Sequence, residues 1–342
     1  MADLCLFPIF LRQGKSRTRC KVGYMDRDGR TVIDPVFSDG TGFSEGLAAV
    51  KAGKFWGVID TTGRFVIPPN LPDFCRFHDG LARLSMRSGK VWKSAVIDVT
   101  GKLVLPPIYD YVGRFMEGLA LIRIGECAEA RFGFIDKTGA EVIPPTFRNA
   151  HEFSEGVAAA RVANLWGYIA RSGVFKIMPR FEATRRGPRR IEHTEAGRFS
   201  EGLAPAWSGQ AYGFINTIGE FVIAPDFDKA NSFREKRALI ERQRRFGFID
   251  SIGNMAVRPR FSLARDFSEG LAMVREKEWK QDAVPLCGFI NIDGNVTIEP
   301  KFFSASRFRN DLCFVGTEKS IGYINRAGDF VWQGEYVECR IE

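Results

Sequence analysis

The chain reads as an all-β tandem repeat, and three observations carry that reading. A glycine-centred pattern recurs nine times with a base spacing of 34 residues. Each copy holds runs rich in Val, Ile and Phe that alternate with polar residues, as half-buried strands do. Each copy also carries a Gly, and nearly always a Pro, at fixed offsets, which a helical repeat of the same period would not tolerate.

The copies align on Gly23, Gly57, Ala95, Gly133, Gly167, Gly213, Gly247, Gly288 and Gly322. The spacings are 34, 38, 38, 34, 46, 34, 41 and 34, so insertions of 4, 4, 12 and 7 residues interrupt the period. Leu-Ala-Ala-Val at 47–50 and its equivalents form a short strand A. Residues 55–60, Phe-Trp-Gly-Val-Ile-Asp, and their equivalents form strand B. Residues 64–68, Arg-Phe-Val-Ile-Pro, and their equivalents form strand C.

Between B and C lies Asp-x-x-Gly. The Asp caps the turn, and the Gly, six residues after the anchor in all nine copies, supplies a left-handed conformation. Pro follows twelve after the anchor in eight copies and is expected to end pairing there, because it has no N–H to donate. A Phe or Tyr two residues later and the Phe of Phe43-Ser-Glu-Gly-Leu-Ala48 and its equivalents flank the connection to the next copy. These rings are expected to plug the core between copies. The anchor Gly is expected to let the next copy approach. The predicted unit is therefore a three-stranded meander, and nine such units must stack to bury their apolar faces.

These residues resemble the WG-containing repeat of bacterial proteins, whose typical form is W-G-[YF]-I-D-x-x-G-x-x-V-I-P-P. Phe55-Trp56-Gly57 through Pro69 and Trp166-Gly167-Tyr168-Ile169 match, and Phe132 through Pro145 matches with Phe for Trp. The departures are the missing Trp in seven copies, Ala95 for Gly and Gly334 for Pro. The resemblance implies interaction mediated by the repeats and fixes no chemistry.

The whole chain, 1–342, reads as one repeat domain with a basic insertion at 182–197. Two architectures fit: an open solenoid or superhelical array, and a β-propeller. Three strands per unit, nine copies and atypical first and last copies that look like caps favour the open array.

Composition narrows the function classes. Of 342 residues, 45% are apolar and 26% charged, so the chain can bury a core. No apolar run reaches 18 residues, which predicts no membrane-spanning helix. Seven Cys, an odd number without a C-x-x-C, suit free thiols in a reducing cytosol. The N-terminus, with Asp3 and Pro8 and no basic leader, reads as a first strand and not a signal peptide. With three His, no P-loop and no nucleophile elbow, no enzyme motif stands out and no cofactor or metal is expected.

One acidic residue per box forms a row: Glu45, Asp79, Glu117, Glu155, Glu201, Glu235 and Glu269. It reads as a set of turn caps. Cation binding or paired carboxylate chemistry is the alternative. Charge is uneven. Residues 171–265 hold 18 Lys and Arg against 10 Asp and Glu, while the remainder balances. Arg185, Arg186, Arg189 and Arg190 lie in the longest insertion, and Arg242, Arg244 and Arg245 at an A–B turn. They are the candidate partner-binding residues, suited to an acidic protein or a nucleic-acid backbone. The insertions of 4, 4 and 7 also fall between strands A and B, the usual place for a binding edge. The sequence thus predicts a non-enzymatic cytoplasmic scaffold that binds a protein partner, with polyanion binding as the alternative.

Overall fold

The computed structural model describes residues 5–13, 20–182, 196–276 and 286–335. Among them the only helix is a single 3-10 turn, Cys127–Glu129, and everything else regular is antiparallel strand. No helix of the described residues is long and apolar enough to cross a membrane. Among the described residues no sheet closes on itself. The predicted repeat domain groups by internal contacts into two compact units: Met1–Phe115 with Ser304–Glu342, and Met116–Phe303.

In unit 1 the second repeat shows the plan. Leu47–Ala52 is strand A, Phe55–Asp60 strand B and Phe65–Leu71 strand C. Strands A and B pair in simple register, Leu47 with Asp60 through Ala52 with Phe55. Strand C is different. Trp56 faces Leu71 and Val58 faces Ile67, so four residues of C oppose two of B. This bulge holds the Pro-Pro pair. The expectation that Pro ends the strand is corrected here. Pro35, Pro69 and Pro145 all sit inside strand C, at the bulge, where an amide donor is not needed, and the strand runs two residues further to Phe37, Leu71 and Phe147.

The bulge also explains the anchor Gly. A Cβ on Gly167 would lie 2.5 Å from the Ile177 carbonyl oxygen and 2.7 Å from the Pro179 nitrogen. On Gly247 it would lie 2.6 Å from the Val257 carbonyl oxygen. Strand C of the same repeat crowds this position. The neighbouring repeat, which the sequence reading had approaching it, does not.

The Asp-x-x-Gly turn behaves as expected. Asp60 accepts bonds from the amides of Thr62 and Arg64, and Gly63 sits at φ +85°. Thr62 also donates its hydroxyl to Asp60, and this bond above all holds the carboxyl below its ordinary pKa. Asp98 and Asp136 repeat the arrangement with Thr100 and Thr138. Ala170 lacks the cap, yet its turn keeps the backbone bonds to Gly173 and Val174.

Three strands per repeat is an undercount. Asp39–Gly40, Phe77–His78, Asn149–Ala150, Lys229–Ala230 and Ser304–Ala305 add a short fourth strand along the free edge of strand A. Asp39 pairs with Lys51 and Gly40 with Val50. The residues after Pro-x-Phe run extended past that edge, so its unpaired backbone groups recruit two of them. In unit 2, Met255–Ala264 is long enough to serve as strand C of one repeat and as the first strand of the next, which gives a seven-stranded sheet.

Apolar packing joins consecutive repeats. In each pair below, the first ring follows the anchor of one repeat and the second is the box Phe of the next. The ring pairs Tyr24–Phe43, Phe134–Phe153, Tyr168–Phe199, Phe214–Phe233 and Phe248–Phe267 have centroids 4.7–5.0 Å apart. These Phe do plug the core, as read. Several turn glycines rest on the branched residue of the previous strand C: Gly63 on Ile33, Gly101 on Ile67, Gly173 on Ile143, Gly253 on Ile223 and Gly294 on Val257. Gly29 of the first repeat rests in the same manner on Val331 of the last. Phe7 stacks edge-on against Tyr323, and Arg12 pairs with Glu335 at 3.3 Å. The two terminal repeats, read from sequence as caps, thus pack on each other within unit 1.

Candidate functional site

Every sheet has two chemically distinct ends. Strand A leaves the Phe-x-Glu-Gly turn at one end and reaches the A–B turn at the other. The first is a two-residue turn with both residues left-handed, Glu45 at φ 55° and Gly46 at 74°. Asn-Gly is the common choice for such a turn. Glu is used here because its carboxylate reaches further. Glu45 accepts the amides of Asp79 and Gly80 in the next repeat, the latter at 2.9 Å. In unit 2, Glu155 accepts from Glu201 at 2.7 Å and Gly202 at 3.0 Å. Glu235 accepts from Glu269 at 2.6 Å and Gly270 at 2.8 Å, Glu117 from Gly156 at 3.1 Å, and Glu201 from Lys236 at 3.0 Å.

The Ser beside Glu45, Glu155 and Glu201 does parallel work. Ser44, Ser154 and Ser200 donate to the carbonyls of Phe77, Phe199 and Phe233 in the following repeats. The acidic row therefore caps turns, as read, but Glu45, Glu117, Glu155, Glu201 and Glu235 each cap the neighbour's turn. This chain of bonds sets the Glu-Gly turns side by side, so within each unit the A–B turns also share a side.

The A–B side is where chain length varies. In the third repeat the hairpin lengthens to Leu81–Ser88 and Val91–Asp98 and exposes Trp92. In the fourth the 3-10 turn at Cys127–Glu129 fills the extra length. The fifth strand C ends at Glu182, which pairs with Leu165 beside the Ala163–Asn164 turn. The insertion carrying Arg185, Arg186, Arg189 and Arg190 therefore leaves from the A–B side. Those four residues lie outside the described residues, as do 277–285 of the last insertion.

Arg242, Arg244 and Arg245 are brought together at one A–B turn, with Gln243 and Arg244 both left-handed. Their charges are not equally available. Arg242 pairs with Asp226 at 3.0 Å, and Arg245 donates to the Arg260 carbonyl at 3.2 Å. Arg244 is exposed and forms no ion pair with the described residues.

Sequence reasoning missed a second feature of this side. The last positions of strand A place cations over the aromatic residue that precedes the anchor. Lys51 lies 5.9 Å from Trp56 and Arg161 5.8 Å from Trp166. The signal was a Lys or Arg five residues into strand A. In repeat seven Glu241 takes the strand A position, and the cation comes instead from Lys229, which lies 5.8 Å from the Phe246 ring and pairs with Glu241 at 2.5 Å.

His151 stacks on Trp166 with centroids 4.8 Å apart. Burial, and then the charge of Arg198, push its imidazole down to about 4. Arg198 is itself held by Glu152 at 2.5 Å. Among the described residues no group of three His, Cys, Asp or Glu is placed to hold a metal ion.

Comparison with known proteins agrees with the repeat. A family model described as "WG containing repeat" matches seven times, at residues 23–54, 56–88, 96–126, 132–166, 212–242, 246–278 and 288–318. No curated protein sequence matches. Among solved structures, one titled "Crystal structure of the eukaryotic initiation factor" aligns over 98% of this chain and 96% of its own, with 13% identity and a TM-score of 0.63. A europium-containing methanol dehydrogenase aligns over 86% and 77%, with 11% identity and a TM-score of 0.39. The first likeness concerns the fold alone.

Proposed function

The chain belongs to the family of WG-containing repeat proteins, and from that premise we propose that it is a non-enzymatic scaffold that binds an acidic protein partner through its A–B side. A repeat-built all-β protein is in general a binding scaffold. The observation that carries the finer reading is that, within unit 2, the fourth-repeat loop and the Glu182 end from which the longest insertion departs both lie at the A–B ends of their sheets, opposite turns bonded to each other. Arg244, at an A–B turn of unit 2, has no ion pair with the described residues, and the described chain before the arginine-bearing insertion ends at Glu182, at the A–B end of its sheet. The carboxylates that catalysis would need are engaged with backbone amides. The free thiols among the described residues suit a reducing cytosol, where we place its action.

The test is capture from native-host extract, with and without nuclease, using three forms of the chain. One is unaltered. One carries Lys54→Glu, Arg244→Glu and Lys319→Glu, each at an A–B turn. One carries Lys137→Glu and Arg171→Glu at B–C turns. A nuclease-resistant protein lost only with the A–B variant is the expected result. Capture that vanishes with nuclease replaces this reading with nucleic-acid binding, which the arginine insertion also suits. Equal loss in both variants overturns the assignment to one side.

A further inference from the structure

Unit 1 contains a cavity of about 340 Å³ that the repeat pattern does not require. One wall is strand A of the third repeat, Leu81–Ser88. Its Ala82 and Leu84 face the core, and the alternate residues Arg83 and Ser85 line the cavity. Tyr111 and Arg114 form the facing wall, and Asp73 and Arg76 complete the rim. The guanidinium of Arg83 lies 5.1 Å from the Tyr111 ring centre, which fixes its plane. Neither Arg83 nor Arg114 forms an ion pair with the described residues.

Charge selects the ligand. Arg83 and Arg114, which form no ion pair with the described residues, bring two positive charges to a lining that also holds Arg76, His78 and Asp73. The Cys75 thiol, pushed up to about 12 by its burial, stays neutral and subtracts nothing. A phosphate monoester carries close to two negative charges at neutral pH, and its three terminal oxygens can engage more than one arginine fork. A carboxylate, or the diester of a nucleic acid or phospholipid, brings one charge and leaves the site half balanced. We propose that this cavity binds a phosphate monoester dianion, held by Arg83 and Arg114, with the Ser85 hydroxyl as a further donor. The site is separate from the A–B side and does not depend on the reading of that side.

The experiment is isothermal titration of the full chain in low-chloride buffer. The probes are inorganic phosphate, phenyl phosphate and a phosphoserine peptide, with acetate and diethyl phosphate as single-charge comparators. Saturable binding of at least one dianion is expected, with both comparators weaker. Arg83→Gln and Arg114→Gln, both solvent-facing and compatible with folding, are each expected to weaken it about tenfold or more. Arg244→Gln, in unit 2, is expected to leave it unchanged. The tightest probe identifies the source: a free phosphate, a small phosphorylated molecule or a phosphorylated side chain. Absence of dianion binding, or binding that both cavity variants leave intact, overturns the proposal. So does acetate or diethyl phosphate binding as tightly as the dianions. Loss of partner capture by the A–B variant with phosphate binding intact would show that the two readings stand or fall separately.

Discussion

The Glu-Gly end and the A–B end of each sheet are built from the same strands, yet they differ in every respect that matters for evolution of a binding surface. At the Glu-Gly end the turns at Glu45, Glu155 and Glu201 are each bonded to the next through a carboxylate and a serine hydroxyl. A change of length there would break two repeats at once. At the A–B end the turns bond within their own hairpins, and lengths vary from a two-residue turn to a 3-10 loop. Cohesion concentrated at one end leaves the other free to change.

The harshest way to break this arrangement is to strike the centre, on which both ends hang. Gly247→Val would drive side-chain atoms into the Val257 carbonyl and the Pro259 backbone. Urea denaturation is expected to show a loss of more than about 3 kcal/mol. The third repeat gives the internal control. Ala95 occupies the anchor with the same bulge register, Ser94 opposite Tyr109 and Val96 opposite Leu105. That repeat has already made room for a methyl group, so Ala95→Gly should change stability by no more than about 1 kcal/mol. Equal effects at the two sites would refute the crowding account.

The next effect depends on pH. His151 has a folded pKa of about 4 against an ordinary 6.5, because burial disfavours its charged form. A depressed histidine favours the fold fully above its unfolded value. That contribution is lost as pH falls from about 6.5 towards 4, while the unfolded chain takes up the proton first. The residue keeps some exposure, so the loss is expected to be about 2 kcal/mol. His151→Phe keeps a ring on Trp166 and should flatten stability across this window. An unaltered pH profile in the variant would exclude His151 as the source.

Smaller again is the carboxylate chain itself. Glu155 is exposed, so water can replace part of what it does. Glu155→Gln should cost about 1 kcal/mol, by weakening the bonds to the amides of Glu201 and Gly202. Glu155→Asn separates its two roles. Asn suits the left-handed turn better but is too short to reach the next repeat. A melting temperature for Asn at or above wild type would mean that turn preference, and not the bond between repeats, sets the choice of Glu.

Most of this fold was legible because its rules are local. Spacing alone located Gly63 at positive φ, Asp60 as the turn cap and the Glu residues as caps. What was not legible is what depends on neighbours across space. Pro69 looks like a strand end, since the bulge that accommodates it exists only once Leu71 pairs with Trp56. The residues at 39–40 look like a linker until the edge of strand A is in place beside them. The charge cluster was legible only as composition. Asp226, sixteen residues from Arg242, gives no hint in sequence that it neutralises that residue. The cavity at Arg83 and Arg114 went unread because the two arginines belong to different repeats.

The finest test asks whether the variable end is free of structural duty. Arg244 lies in a left-handed turn, is exposed and carries no ion pair with the described residues, so Arg244→Glu should leave stability within about 0.5 kcal/mol of wild type. Arg242→Ala, which also frees Asp226, should cost no more than an exposed ion pair, up to about 1 kcal/mol. Both should be read by denaturant midpoint at two salt concentrations, since an exposed pair weakens as salt screens it. If Arg244→Glu alone reduces partner capture while stability is unchanged, the A–B end is a surface kept for recognition. If it destabilises the chain by as much as Glu155→Gln does, the two ends are equally structural, and the division of labour drawn from their geometry fails.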